Sequence, residues 1–170
     1  MKGLSFGETP FSTLFAPILP PLNELWWLVN FQSNPFDFDW ETQNEQLLGE
    51  AMLRLPVLET SGSLLWRPSN LARLIPGIKV FGEWSSLTGF ACKAEDPTDA
   101  VRRLEGSPTV FPAFDEIERL GGILIVQVDG WWEVYSSREE WLESLARSHR
   151  GRPVDSANLG ENYPKDYTVQ

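Results

Sequence analysis

The clearest alternation of apolar and polar positions lies in the last third of the chain. Ile123-Leu124-Ile125-Val126-Gln127-Val128 is a β-rich run, Asp129-Gly130 follows, and Trp131-Trp132-Glu133-Val134-Tyr135 is β-rich again. Asp-Gly between two such runs predicts a hairpin, because a type I′ turn needs positive φ at both central residues. Ser137-Arg138-Glu139-Glu140 fits a capping box, with Ser137 accepting the Glu140 N–H and Glu140 reaching back. Trp141, Leu142, Leu145, Ala146 and His149 then fall on one face of a helix expected from Arg138 to Arg150, with Gly151 as its C-cap. Glu139, Glu140 and Glu143 near its start and Arg147 and Arg150 near its end suit the helix dipole.

Upstream, the aromatic run from Leu25 to Phe31 reads as a strand, and Asn34-Pro35 marks a turn in the loop 33–39. Leu47, Leu48, Ala51, Met52 and Leu55 are spaced for a helix over 40–54, weakened by Gly49 and closed by Pro56. Leu64-Leu65-Trp66 reads as a strand, a helical turn fits from Ser69 or Asn70 to Ile75, and a further strand fits 78–84. Short helices are expected over 98–105 and 114–120, each followed by glycine.

Residues 1–22 carry Pro10, Pro17, Pro20 and Pro21 and read as an extended proline-rich arm, residues 23–151 as a single domain, and residues 152–170 as a polar C-terminal tail. Strands, short helices, then a hairpin and a helix, without regular βαβ alternation, predict an α+β fold with a mostly antiparallel sheet.

Charge changes the picture more than size does. Fourteen basic residues against 24 acidic ones leave −10. Phosphate backbones and anionic membrane surfaces need lysine and arginine, so neither is an expected partner, whereas a basic protein is. From Gly3 to Leu53 there is no basic residue, while Glu8, Glu24, Asp37, Asp39, Glu41, Glu45 and Glu50 all fall there. Such asymmetry suggests a face that meets a cationic partner, although acidic residues also serve solubility. Cys92 is the single cysteine, the prolines break any apolar leader at 1–23, and no apolar run is long enough to span a membrane. A cytoplasmic address is expected, as a monomer or small homo-oligomer.

Catalytic patterns are sparse. His149 is the single histidine and fits a helix C-terminus better than a general base, and Cys92 has no local partner. One Cys and one His do not make a zinc site, and Gly121-Gly122 lacks the spacing and lysine of a phosphate loop. No catalytic residue, cofactor or metal is therefore expected. Asp37-Phe38-Asp39-Trp40-Glu41 alternates carboxylates with rings, without the glycine of a calcium loop. If extended, it puts three carboxylates on one side and Phe38 and Trp40 on the other. In the pairs Trp26-Trp27 and Trp131-Trp132 the members of each pair face opposite sides of a strand, so one of each is expected to leave the main core.

The run Phe36-Asp37-Phe38-Asp39-Trp40-Glu41, together with the stretch from Gly121 to Leu145, resembles the immunity proteins of bacterial polymorphic toxin systems. These are small, acidic, often tryptophan-rich α+β proteins that block a cognate toxin. The resemblance implies inhibition by occlusion, acidic groups meeting a basic site. Asp37, Asp39, Glu41 and Glu45 with Trp40 as anchor are the expected contact residues, and Trp131 with Glu133 forms a second patch. Two other functions fit the chain: a structural or adaptor protein of a phage or secretion assembly, built through its arm and tail, or a carbohydrate-active enzyme using two of Asp37, Asp39, Glu83 and Glu133.

Overall fold

A computed structural model describes residues 1–7, 9–30, 52–53, 55, 63–68, 86–93, 96–105, 114–128, 131–157 and 159. It shows an α+β fold on one antiparallel sheet. The strands are β1 (Lys2–Phe6), β2 (Trp26–Asn30), β3 (Met52–Leu53), β4 (Leu64–Trp66), β5 (Ser86–Phe90), β6 (Ile123–Val128), β7 (Trp131–Ser136) and β8 (Arg152–Asp155). They lie in the order β3-β4-β2-β5-β6-β7-β1-β8, every pairing antiparallel. The helices are α1 (Phe11–Phe15), a 3₁₀ turn (Ala16–Ile18), α2 (Leu19–Leu22), α3 (Thr98–Glu105), α4 (Phe114–Arg119) and α5 (Glu139–Ser148).

The middle strands are apolar at successive positions because helices cover both faces of the sheet. Trp27, Val29, Leu87, Ile123, Ile125 and Val134 point to a first face, packed under α1, α2 and α5. Trp26, Leu28, Phe90, Leu124 and Val126 point to a second face, packed under α3 and α4. The expectation that one of Trp26 and Trp27 leaves the core therefore fails: both are buried, at 7% and 0% exposed.

The hairpin forms as expected. Val128 pairs with Trp131, so two residues connect β6 to β7. The capping box does not form. Helix α5 begins one residue later, Arg138 is its N-cap, and no side chain caps it. Ser136, rather than Ser137, takes a backbone proton, from Arg138 N–H at 3.1 Å, and its own hydroxyl donates to the Gly122 carbonyl at 3.0 Å. Arg138 spans the same corner. Its Nε donates to the Gly121 carbonyl at 2.9 Å and its guanidinium lies 4.6 Å from the Trp141 ring centre. Gly121, at φ 58°, makes the left-handed turn that closes α4. At its other end α5 stops at His149, whose backbone is extended and whose ring meets Phe6 edge-on at 6.3 Å. Gly151 is thus not the cap; it lets the chain pass close to the Phe6 ring, 2.7 Å from where a Cβ would stand.

Both ends of the chain differ from expectation. Residues 1–22 are extended only over β1, which inserts between β7 and β8. Residues 11–22 are helical. Pro10 is the N-cap of α1, Pro17 is the second residue of the 3₁₀ turn, and Pro20 and Pro21 are the second and third residues of α2. A proline there has no intrahelical N–H to lose, and its fixed φ suits the first turn. Phe11, Leu14, Phe15, Ile18 and Leu22 are buried as the lid of the first face. The polar tail begins inside the sheet, with 152–155 paired to β1 as an edge strand. Met52–Leu53 belongs to a strand, not to the end of a helix. The remainder of the helix expected at 40–54, the turn from 69 or 70 to 75, the strand at 78–84 and most of the tail lie outside the described residues.

An ion network joins α3 to α4. Arg103 Nε and Arg119 Nη2 reach Glu116 Oε1 at 2.6 and 2.5 Å, and Glu116 is largely shielded from solvent. The Arg119 hydrogen bond, then that of Arg103, brings the Glu116 carboxyl down to about 2 against the cost of burial. A depressed carboxyl stabilises the fold fully above its unfolded value of 4.5, and that stabilisation is lost as pH falls through about 2. Glu116→Gln is expected to cost about 1 kcal/mol at neutral pH, a value reduced for two solvent-facing arginines. In urea titrations the gap to wild type should narrow steadily from pH 4.5 to pH 2; a constant gap contradicts the assignment.

Candidate functional site

The second face is closed by α3 and α4 over its middle and open towards β7, β1 and β8. On β7 the residues pointing to that side are Trp131, Glu133 and Tyr135, and Trp132 and Val134 point to the first face. Trp131 is 49% exposed, the large apolar side chain left in solvent among the described residues, whereas Trp132 is 7% exposed. The Trp131 ring stands beside Gly7, 3.9 Å from where a Cβ would be. Glu133 pairs across the sheet with Ser5, and Ser5 with Arg152. This row borders a hollow of about 240 Å³ lined by Glu133, Tyr135, Arg152, Val154, Asp155 and Leu159.

Small residues on β1 shape this region. Gly3 lies under the Tyr135 ring, which would stand 2.5 Å from a Cβ there. The ring's other side meets Phe114 of α4 at 5.6 Å, edge to face. Held in this way, the Tyr135 hydroxyl donates to Glu133 Oε2 at 2.5 Å. Burial first, then the hydrogen bond and charge of Glu133, push the phenol's pKa far up, so it stays protonated and keeps donating. Glu133 is thereby fixed by a neutral donor, with its other oxygen left as an acceptor.

Some charges elsewhere are paired. Lys2 Nζ lies 3.0 Å from Glu139 Oε1, Arg102 lies 3.6 Å from Asp99, and Arg103 and Arg119 share Glu116. Several carboxylates have no basic partner among the described residues, Glu133 and Asp155 among them. Asp155 accepts the Ala157 N–H at 2.9 Å, and among the described residues neither carboxylate has a basic partner, even though Arg152 lines the same hollow. The arrangement leaves one oxygen of Glu133 and the exposed Trp131 ring on this side of the sheet, with Arg152 across β1 from Glu133.

Of the seven contact residues expected from the sequence, Trp131 and Glu133 share this face. Asp37, Asp39, Trp40, Glu41 and Glu45 lie outside the described residues, as does Glu83. The sequence reading missed Tyr135, Arg152 and Asp155. Tyr135 was legible, being two residues beyond Glu133 on the same side of a strand, whereas Arg152 and Asp155 were hidden in a stretch read as tail. Cys92 is half-buried beside the second face, and no group of three His, Cys, Asp or Glu among the described residues is placed to hold a metal ion. No helix among them is long and apolar enough to cross a membrane. Compared with protein-family models, curated proteins and solved structures, the chain matches none.

Proposed function

We propose that this chain is a non-catalytic binding protein that blocks a basic protein partner by occlusion, in the manner of an immunity protein and its cognate toxin. The supporting observation is the exposed Trp131 with Glu133 on the same open side of the sheet, in a chain of net charge −10. Opposite net charges speed encounter and select the partner, and a desolvated aromatic anchor then slows dissociation. The contact residues are Asp37, Asp39, Glu41 and Glu45 with Trp40 as anchor, and Trp131 with Glu133 forms a second patch.

The test is kinetic. Asp37→Lys, Asp39→Lys and Glu41→Lys together are expected to slow association with the captured basic partner about tenfold at low salt and to flatten its salt dependence. Association rates unchanged at every ionic strength would remove these carboxylates from the contact face.

A further inference from the structure

We infer that the open strip of the second face, across β7, β1 and β8, binds a neutral saccharide on Trp131, Glu133, Ser5 and Arg152. Such a site goes beyond the docking of a basic protein, with which it shares Trp131 and Glu133. Strand register places the four side chains. Glu133 pairs with Ser5 and Ser5 with Arg152, so all three leave the same side of three adjacent strands. Carboxylate and guanidinium thus stem from backbones about 10 Å apart, with the serine between them. Trp131 leaves on that side about 7 Å further along β7. The observation that calls for a ligand is Ser5. It is 3% exposed, yet among the described residues its hydroxyl has no hydrogen-bond partner. Buried hydroxyls in native proteins are paired, so one left open at the floor of an uncovered strip is completed from outside the chain. The Thr88 oxygen is unpartnered too but sealed from solvent, whereas that of Ser5 is not sealed.

The neighbours of Ser5 define the guest. Tyr135 holds Glu133 through Oε2 and leaves Oε1 as an acceptor. Arg152 offers donors in a planar fork, and the Ser5 hydroxyl both gives and takes. Acceptor, hydroxyl and donor in one row match neighbouring hydroxyls of a sugar, each of which also gives and takes. Trp131, 49% exposed, supplies a flat apolar surface for the C–H face of a pyranose ring. A β-linked hexose with equatorial hydroxyls has such a face on one side and its polar groups at the rim. Charge selects a neutral sugar: Glu133 and Arg152 cancel, and a chain of net charge −10 repels an anionic one. The adjoining hollow of about 240 Å³, lined by Glu133, Tyr135, Arg152 and Val154, is smaller than a pocket for a drug-sized ligand and suits one ring of a chain.

The probes are three neutral β-linked pentasaccharides, of glucose, N-acetylglucosamine and mannose, titrated into the full ¹⁵N-labelled chain with penta-galacturonate as the anionic comparator. At least one neutral probe is expected to shift the Trp131 indole and the amides of Ser5, Glu133 and Arg152 saturably. Trp131→Ala should weaken that binding about tenfold or more. Ser5→Ala should weaken it about fivefold while leaving the denaturation midpoint unchanged, because the hydroxyl it removes holds nothing within the fold. A serine with a purely structural role would show the reverse. Glu24→Gln, a carboxylate on a distant turn, should change nothing. No saturable shift with any neutral probe, shifts scattered over the surface, equal binding of penta-galacturonate, or Ser5→Ala binding as wild type does overturns the inference; the last result assigns the hydroxyl to solvent alone. Ser5→Ala should still capture a basic protein partner undiminished, so the saccharide site and the protein-binding function fail separately.

Discussion

Trp27→Ala is expected to cost about 4 kcal/mol, in the range for removing a buried tryptophan from a core. The reason is its position. Trp27 is fully buried on the first face, paired with Trp66 on one side and Gly89 on the other. Its ring occupies the space that the missing Gly89 side chain leaves open, 2.8 Å from where a Cβ would stand. Its Nε1 donates to the Leu22 carbonyl at 3.1 Å, which fastens α2 to the sheet. Alanine therefore leaves a cavity and also frees a buried carbonyl. Against a total stability of roughly 5–15 kcal/mol, such a loss brings the domain close to unfolding. Urea denaturation checks it: the midpoint should fall steeply with the slope unchanged. A loss under about 1 kcal/mol would show that the first-face packing is not as described.

The second large effect is expected at Gly3, where alanine should cost about 2–3 kcal/mol through overpacking. A Cβ there would stand 2.5 Å from Tyr135 Cδ1 and 2.6 Å from the Val134 carbonyl oxygen. The ring alone could shift, but the carbonyl belongs to the β1–β7 ladder, so relief requires the strands to part. Parting them also disturbs Tyr135, and with it the hydroxyl that positions Glu133. Gly3→Ala should thus lower the denaturation midpoint and displace the Tyr135 ring together, the second visible as a shift of its ring resonances. Serine at a glycine without such contacts, such as Gly7, should leave stability nearly unchanged.

How much of this was legible in the sequence depended on where local pattern and tertiary context agree. The hairpin, β2, β4 and the helices α3 and α4 were readable because apolar runs, turn residues and glycine stops pointed the same way. Strand β5 was not, although it is wholly buried at the centre of the sheet. Ser86-Leu87-Thr88-Gly89-Phe90 has the composition of a loop, and its glycine is there for the Trp27 ring. The helical lid of 11–22 was hidden by its prolines, which break a helix interior but suit the first turns of three short ones. Strand β8, four residues with a proline and two charges, has the composition of a tail and the placement of an edge strand, where Pro153, Arg152 and Asp155 discourage further pairing.

The same division applies to the site. Side-chain alternation put Trp131 and Glu133 on one side of a strand, and the structure leaves that side open. Alternation alone did not show that β8 supplies the opposite wall of a hollow, because that depends on β1 inserting between two strands far apart in sequence.

Whether an acidic face of this chain docks a cationic protein is tested most directly by capture from the native cell. The full chain is immobilised, challenged with lysate at physiological salt and eluted on a rising salt gradient. The account predicts one retained protein of net positive charge, bound in equimolar amount, losing its activity when bound, and released as salt screens the contact. Retention of neutral or acidic proteins alone, or binding indifferent to salt, would contradict it.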